Sequence, residues 1–206
     1  FMANSIFDSI SNTRLKQQLD FIVEIDKIKS IFRRNLIIDG SRKENDAEHS
    51  WHLAIMAILL TEHAKNKNFN LEKVLKTVIV HDLVEVYAGD TFAYDIAGNQ
   101  DKNTREQIAA DKLFALLPQD QGKEIRSLWE EFDNETSAES RYAVALDHLQ
   151  PFIHNALTKG HTWKLGKVSK QQIYNRMNIV MSELPELKPW MENQNKKGLE
   201  LGWINQ

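Results

Sequence analysis

Two side chains that bind metal ions well, His81 and Asp82, stand together in HDLVEVYAGD, directly after the mostly apolar run 74–80. Glu85 follows three residues later, then Gly89 and Asp90. Upstream stands Glu48-His49, and downstream Asp147 sits among Ala143, Val144, Leu146 and Phe152. A carboxylate buried without a partner costs several kcal/mol, so it pairs, takes up a proton or binds a metal. One histidine on an apolar face is more often a satisfied core residue. The set has different odds, because imidazoles with carboxylates are a normal ligand mixture for a divalent transition ion. The chain has no cysteine, which excludes thiolate sites and disulfides.

Neighbouring residues on a helix point about 100° apart, so His81 and Asp82 straddle one edge of a face and cannot close a site alone. His49 and Asp147, each on another helix, are the candidate partners. Glu85, four residues after His81, shares its face: it serves either as acid or base toward metal-bound water or as a solvated glutamate near a helix end. Asp90, taken alone, reads as a turn or capping aspartate. Pro151 crowds the carbonyl of Asp147, giving either a kink that reorients the helix beside that ligand or a plain bend. His52, one turn after His49, reads as a packing or supporting residue, and His63, His154 and His161 receive no ligand role.

The elements that must position these residues are helical. Leu15, Leu19, Ile22, Val23, Ile25 and Ile28 recur at helical spacing. A second helix runs from about 47 to 65, with an apolar stripe of Ile55, Met56, Leu59 and Leu60. A third spans 71–88 between Asn70 as N-cap and Gly89 as terminator. The polar stretch 91–102 is a loop long enough to suspect function. Further helices are expected over 104–117, 119–132, 137–158 and 169–183, and the tail from Pro185 adds one more. With no alternating strand, repeat or low-complexity segment, the fold class is an all-α, single-domain helical bundle over 1–206, its core in about 31–158 and the C-terminal helices packing on it.

The chain has 206 residues, 42% hydrophobic and 27% charged, enough to bury a core. A net charge of −3 gives no reason to expect a nucleic-acid polymer or an anionic membrane as partner. No apolar stretch is long enough to span a bilayer, and FMANSIFDSI lacks the basic-then-apolar order of a signal peptide. The expected compartment is the cytoplasm.

His49, His81-Asp82 and Asp147, in that order, resemble the H…HD…D signature of the HD-domain superfamily of metal-dependent phosphohydrolases. RKENDAEHSWHLAIMA, HDLVEVYAGD and ALDHL are together similar to the 5′-deoxynucleotidase branch, which dephosphorylates deoxynucleoside 5′-monophosphates. The likeness runs from roughly 31 to 154. It implies an HD-type bundle in which His49, His81, Asp82 and Asp147 hold one divalent ion, cobalt or manganese, with zinc, iron, nickel or magnesium as alternatives. It implies that Glu85 positions or activates the attacking water and that Asp90 reads the 3′ side of the sugar. It places a phosphate-binding arginine upstream of EHS; ungapped counting gives Arg34, with Arg33 adjacent. Asn35 stands where the family often has Trp, which leaves nucleotide choice open. Val86, in place of a second acid, departs from the alarmone hydrolases. The absence of histidine between Asp82 and Asp147 departs from the two-metal phosphodiesterases.

The expected reaction is hydrolysis of a phosphomonoester, a small-molecule nucleotide. Arg34 would offer forked donors to phosphate and Asp90 would accept a hydrogen bond from the sugar hydroxyl. The alternatives are an HD phosphohydrolase acting on another nucleotide or small phosphoester, a non-catalytic metal- or nucleotide-binding regulator, and a plain helical interaction protein. The resemblance also implies a homodimer, for which the sequence offers Trp163, Trp190 and Trp203 as interface aromatics.

Overall fold

The structure is a computed structural model describing residues 6–206; residues 1–5, the start of the N-terminal stretch read above, lie outside it. Helix α1 (Thr13–Ile25) begins where the Asn12 side chain accepts from the Leu15 amide, and it tightens into a 3-10 turn over Asp26–Ser30. The break in helical pattern that follows is a small antiparallel hairpin, β1 (Phe32–Leu36) with β2 (Lys43–Asn45). Its strands were not legible, because FRRNL and KEN are too short and too polar to alternate. The Asp39-Gly40 turn closes it, with Gly40 at φ +75° and Asp39 accepting from the Ser41 amide.

Helix α2 (Asp46–Leu60) opens on a reciprocal cap: Asn45 accepts from the Glu48 amide while Glu48 accepts from the Asn45 amide. Its buried face is His49, Leu53, Met56 and Ala57, whereas Ile55, Ile58 and Leu59 point outward. Of the expected stripe, Met56 is in the core and Leu60 packs against it, whereas Ile55 and Leu59 face away and His49 takes an inner position.

The helix expected over 71–88 is two. Helix α3 (Leu71–Val80), capped by Asn70, ends at His81, and α4 is the single turn Glu85–Ala88, terminated by Gly89 at φ +75°. The His81 ring donates from Nδ1 to the Val78 carbonyl at 2.9 Å, the acceptor that the Asp82 amide would use in a continuing helix. Tighter bonds follow, from Leu83 to Val80 and from Glu85 to Asp82. His81 and Asp82 thus occupy a tight turn.

The rest is helical: α5 (Lys102–Phe114), α6 (Gln119–Asn134), α7 (Ala138–Leu157), α8 (His161–Leu165), α9 (Lys170–Glu183) and α10 (Lys188–Glu200). Ser137 with Ser140 and Ser169 with Gln172 cap α7 and α9 reciprocally. Helix α7 runs on through Pro151.

One apolar cluster joins Leu53, Val74, Val78, Leu146 and Leu149 to Ile173, Met177, Leu184, Met191 and Ile204, so the C-terminal helices share the core itself. Trp163 is buried in it, 5.3 Å from the Phe152 ring, and Trp190 and Trp203 pack against it. These tryptophans are spent on the core, which removes the support they lent to a dimer. A second cluster gathers Phe21, Val80, Val84, Leu113 and Trp129 around α1 and α4–α6. His81 and Asp82 fall where the two clusters meet. Among the described residues no helix is long and apolar enough to cross a membrane.

Candidate metal centre

Helix α2, the turn after α3, and α7 bring His49, His81, Asp82 and Asp147 together. His49 Nε2 lies 2.9 Å from Asp147 Oδ1 and 3.9 Å from Asp82 Oδ2; His81 Nε2 lies 3.1 Å from Asp82 Oδ2 and 3.7 Å from Asp147 Oδ1. Ligands about 2.1 Å from one ion are roughly 3 to 3.5 Å apart, so the spacing suits a shared cation. The histidines are oriented for it. His81 turns its Nδ1 to a carbonyl, leaving Nε2 with no hydrogen-bond partner, and His49 turns its Nδ1 toward Glu44 Oε2 at 3.7 Å. A ring nitrogen backed by a carbonyl or carboxylate is the usual arrangement of a ligating histidine. The donor set therefore fits a divalent transition ion.

The electrostatics agree. Burial works against the charge on Asp82 and Asp147, yet the neighbouring histidines hold both below the ordinary carboxylate range. Burial also pushes His81 down, but Asp82 and Asp147 outweigh it and lift its pKa to about 10. His49, buried and facing the Arg33 charge, falls to about 4. The acids make this point strongly attractive to positive charge.

Beside them Asp46, Glu85 and Asp90 approach closely enough for one oxygen of each to meet a single cation. Glu85 is 5% exposed; burial, then Asp82 and Asp46, push its pKa well above the ordinary glutamate value. Burial and Asp82 raise Asp46 to about 7, and burial raises Asp90. A carboxyl that keeps its proton near neutrality is suited to acid–base work. Asp46 escaped the sequence reading because an acid in the first turn of a helix has an ordinary explanation there. Its spacing from His49, three residues on one face, was the available signal.

Adjacent strand residues point to opposite faces, and this separates the two arginines. Arg33 turns inward: its Nη1 donates to Asp82 Oδ2 at 2.8 Å and to Asp46 Oδ1 at 3.4 Å, and its Nη2 lies 3.8 Å from Asp147 Oδ1. Arg34 stands at the mouth, 48% exposed, 3.7 Å from Asp95 and stacked 4.8 Å from the Phe92 ring centre. Both line an open cleft whose lining includes His81, Asp82, Glu85 and Asp147. Lys102, from the end of the expected loop, adds a further cation to the cleft lining, partly exposed and paired with Glu106 at 3.5 Å. Asn35, Phe92 and Tyr94 supply part of the wall. His49 is wholly buried behind this lining.

Residues 25–188 match the family model described as HD domain. The protein named 5′-deoxynucleotidase HDDC2 from Homo sapiens is 27% identical over 153 residues, 74% of this chain and 73% of that protein. The one named 5′-deoxynucleotidase hdd1 from Schizosaccharomyces pombe is 24% identical over 192 residues, covering 86% and 94%. Among solved structures, one from Magnetospirillum magnetotacticum MS-1, titled "Predicted metal-dependent phosphohydrolase", superposes with a TM-score of 0.88 at 41% identity, covering 94% of this chain and 97% of that one.

Proposed function

From the premise that the chain belongs to the HD-domain family of metal-dependent phosphohydrolases, we propose that its substrates are deoxyribonucleoside 5′-monophosphates. The observation that carries this reading is the meeting of His49, His81, Asp82 and Asp147 beside Arg33 in an open cleft. The names of the similar proteins from Homo sapiens and Schizosaccharomyces pombe support it.

His49, His81, Asp82 and Asp147 would hold one divalent ion, cobalt or manganese, which when bound supplies positive charge toward phosphate oxygens and acidifies water. Arg33 offers the forked donors that bind phosphate, the role that counting gave to Arg34; Arg34 reaches the same anion or its sugar from the mouth. Glu85 takes a proton from the attacking water or passes one to the leaving oxygen, the task for which its raised pKa suits it. Asp90 accepts from the sugar hydroxyl at the cleft wall, and the Tyr94 ring, held edge-on by Phe92, lies on the wall toward the base. The whole chain acts as one HD domain.

Phosphate release measured across deoxy- and ribonucleoside monophosphates, with cobalt, manganese, magnesium and zinc in turn, tests the substrate. Deoxynucleotides should be preferred. Equal turnover of ribonucleotides and of 3′-blocked substrates would remove the role given to Asp90. Turnover confined to other phosphoesters would favour the broader phosphohydrolase reading.

We also propose a cytoplasmic homodimer. Exposed Trp51, Ile58 and Leu59 on α2 and Ile22 on α1 leave apolar surface of a kind proteins cover. A monomeric sedimentation coefficient at micromolar concentration would exclude the dimer.

A further inference from the structure

Behind His49 lies a second group of chemistry-bearing side chains, of which only Glu44 touches the hydrolytic site, through His49 Nδ1. Glu44 comes from β2, His52 from α2 and His154 from α7, and one ligating atom of each lies within 4.8 Å of the others. The His52 and His154 ring centres are 5.7 Å apart. Gln150, fully buried, donates from Nε2 to Glu44 Oε1 at 2.5 Å and lies 3.3 Å from His52 Nδ1.

The hydrogen bonding of this group does not close. His154 is 2% exposed, yet neither ring nitrogen has a partner of good geometry, although the Leu36 backbone lies nearby. Glu44 Oε2 and Gln150 Oε1 are likewise buried without partners. Buried polar atoms normally find partners, and each that does not costs about 1 to 3 kcal/mol. These four atoms come from two elements, β2 and α7, and His52 of α2 stands beside them. Two imidazoles and one carboxylate are a complete protein ligand set for zinc, with a fourth place left for the Gln150 carbonyl or a water. Burial also holds His154 neutral, its pKa near 4, and neutral imidazole is the ligating form.

We propose that Glu44, His52 and His154 form a separate metal site for a borderline divalent ion of the zinc class, clamping the hairpin onto α2 and α7. The ion would have a structural role. It ties down the strand pair that carries Arg33, and Glu44 faces His49 Nδ1 at 3.7 Å, so occupancy stiffens the mounting of the hydrolytic site.

The test is zinc titration of chelator-stripped full-length protein by calorimetry, with thermal unfolding followed in parallel. Asp147→Asn weakens the hydrolytic centre, and the difference that His52→Ala makes in that background reads the second site. That variant should still bind zinc and gain thermal stability from it. Adding His52→Ala, at a partly exposed ring, should remove one zinc equivalent and that gain. Glu44→Gln, which preserves shape, should weaken the same equivalent at least tenfold. The proposal is overturned if Asp147→Asn and Asp147→Asn/His52→Ala bind the same number of zinc ions with the same thermal shift. That result would mean that ordered water completes the cluster.

Discussion

His49 Nε2 lies 2.9 Å from Asp147 Oδ1, although 98 residues separate them in sequence. The contact joins the first turn of α2 to the middle of α7 and sets the separation of two donors that would share an ion. Asp147→Asn keeps the shape and removes the charge. It should lower cobalt affinity by about 100-fold or more, read by calorimetry on stripped protein. Unchanged affinity would place the ion elsewhere.

Arg33 and Arg34 differ by one position and by which face of β1 they occupy. Arg33→Ala removes a charge-assisted donor in the cleft, with an expected fall in kcat/KM on the order of 100-fold. Arg34→Ala removes an exposed guanidinium and should change kcat/KM by only about threefold. Steady-state kinetics on both variants separate them, and the reverse ranking would return phosphate binding to Arg34.

Glu85 is buried with its carboxyl pushed toward the protonated form. Glu85→Gln should cut kcat by about 100- to 10,000-fold while His49, His81, Asp82 and Asp147 still retain metal. Elemental analysis beside single-turnover rates would show both. Retained turnover would leave Glu85 a purely structural residue.

Glu44 offers a pH signature. Burial lifts it to about 7, against the opposing pull of Arg33 and the Gln150 hydrogen bond, whereas an unfolded glutamate titrates near about 4.3. The folded chain therefore holds an extra proton between those values. The stability this confers is full below the lower value and is lost as pH rises through the upper one. In chelated protein, Glu44→Gln mimics the protonated form. Its melting temperature should gain on wild type as pH rises from about 6 to about 8. Asp46, also raised to about 7, is present in both proteins and cancels in the difference. A gap that does not vary with pH would contradict this assignment of the proton.

Local patterns made His49, His81, Asp82 and Asp147 legible, because polar residues stood out against apolar neighbours in helical stretches. What depended on tertiary packing was not legible. The hairpin was hidden because its strands are short and polar, and with it went the choice between Arg33 and Arg34. The break at His81 was invisible because a side-chain bond to the Val78 carbonyl produces it within an apolar run. The inner face of α2 was read in part: Met56 and Leu60 pack in or on the core, while Ile55 and Leu59 look like core residues and are exposed. His52 and His154 received no ligand role because Glu44, which joins them, sits on a strand that periodicity could not show. Lys102 lay at the edge of a stretch read as loop, with no pattern to turn it inward.

The central claim is that this constellation performs metal-dependent hydrolysis of a phosphomonoester. Its most direct test is phosphate release from a deoxyribonucleoside 5′-monophosphate before chelation, after chelation and after adding back cobalt or manganese. Turnover should disappear with the metal and return with it in wild type but not in Asp147→Asn. Turnover that survives complete removal of metal would contradict it.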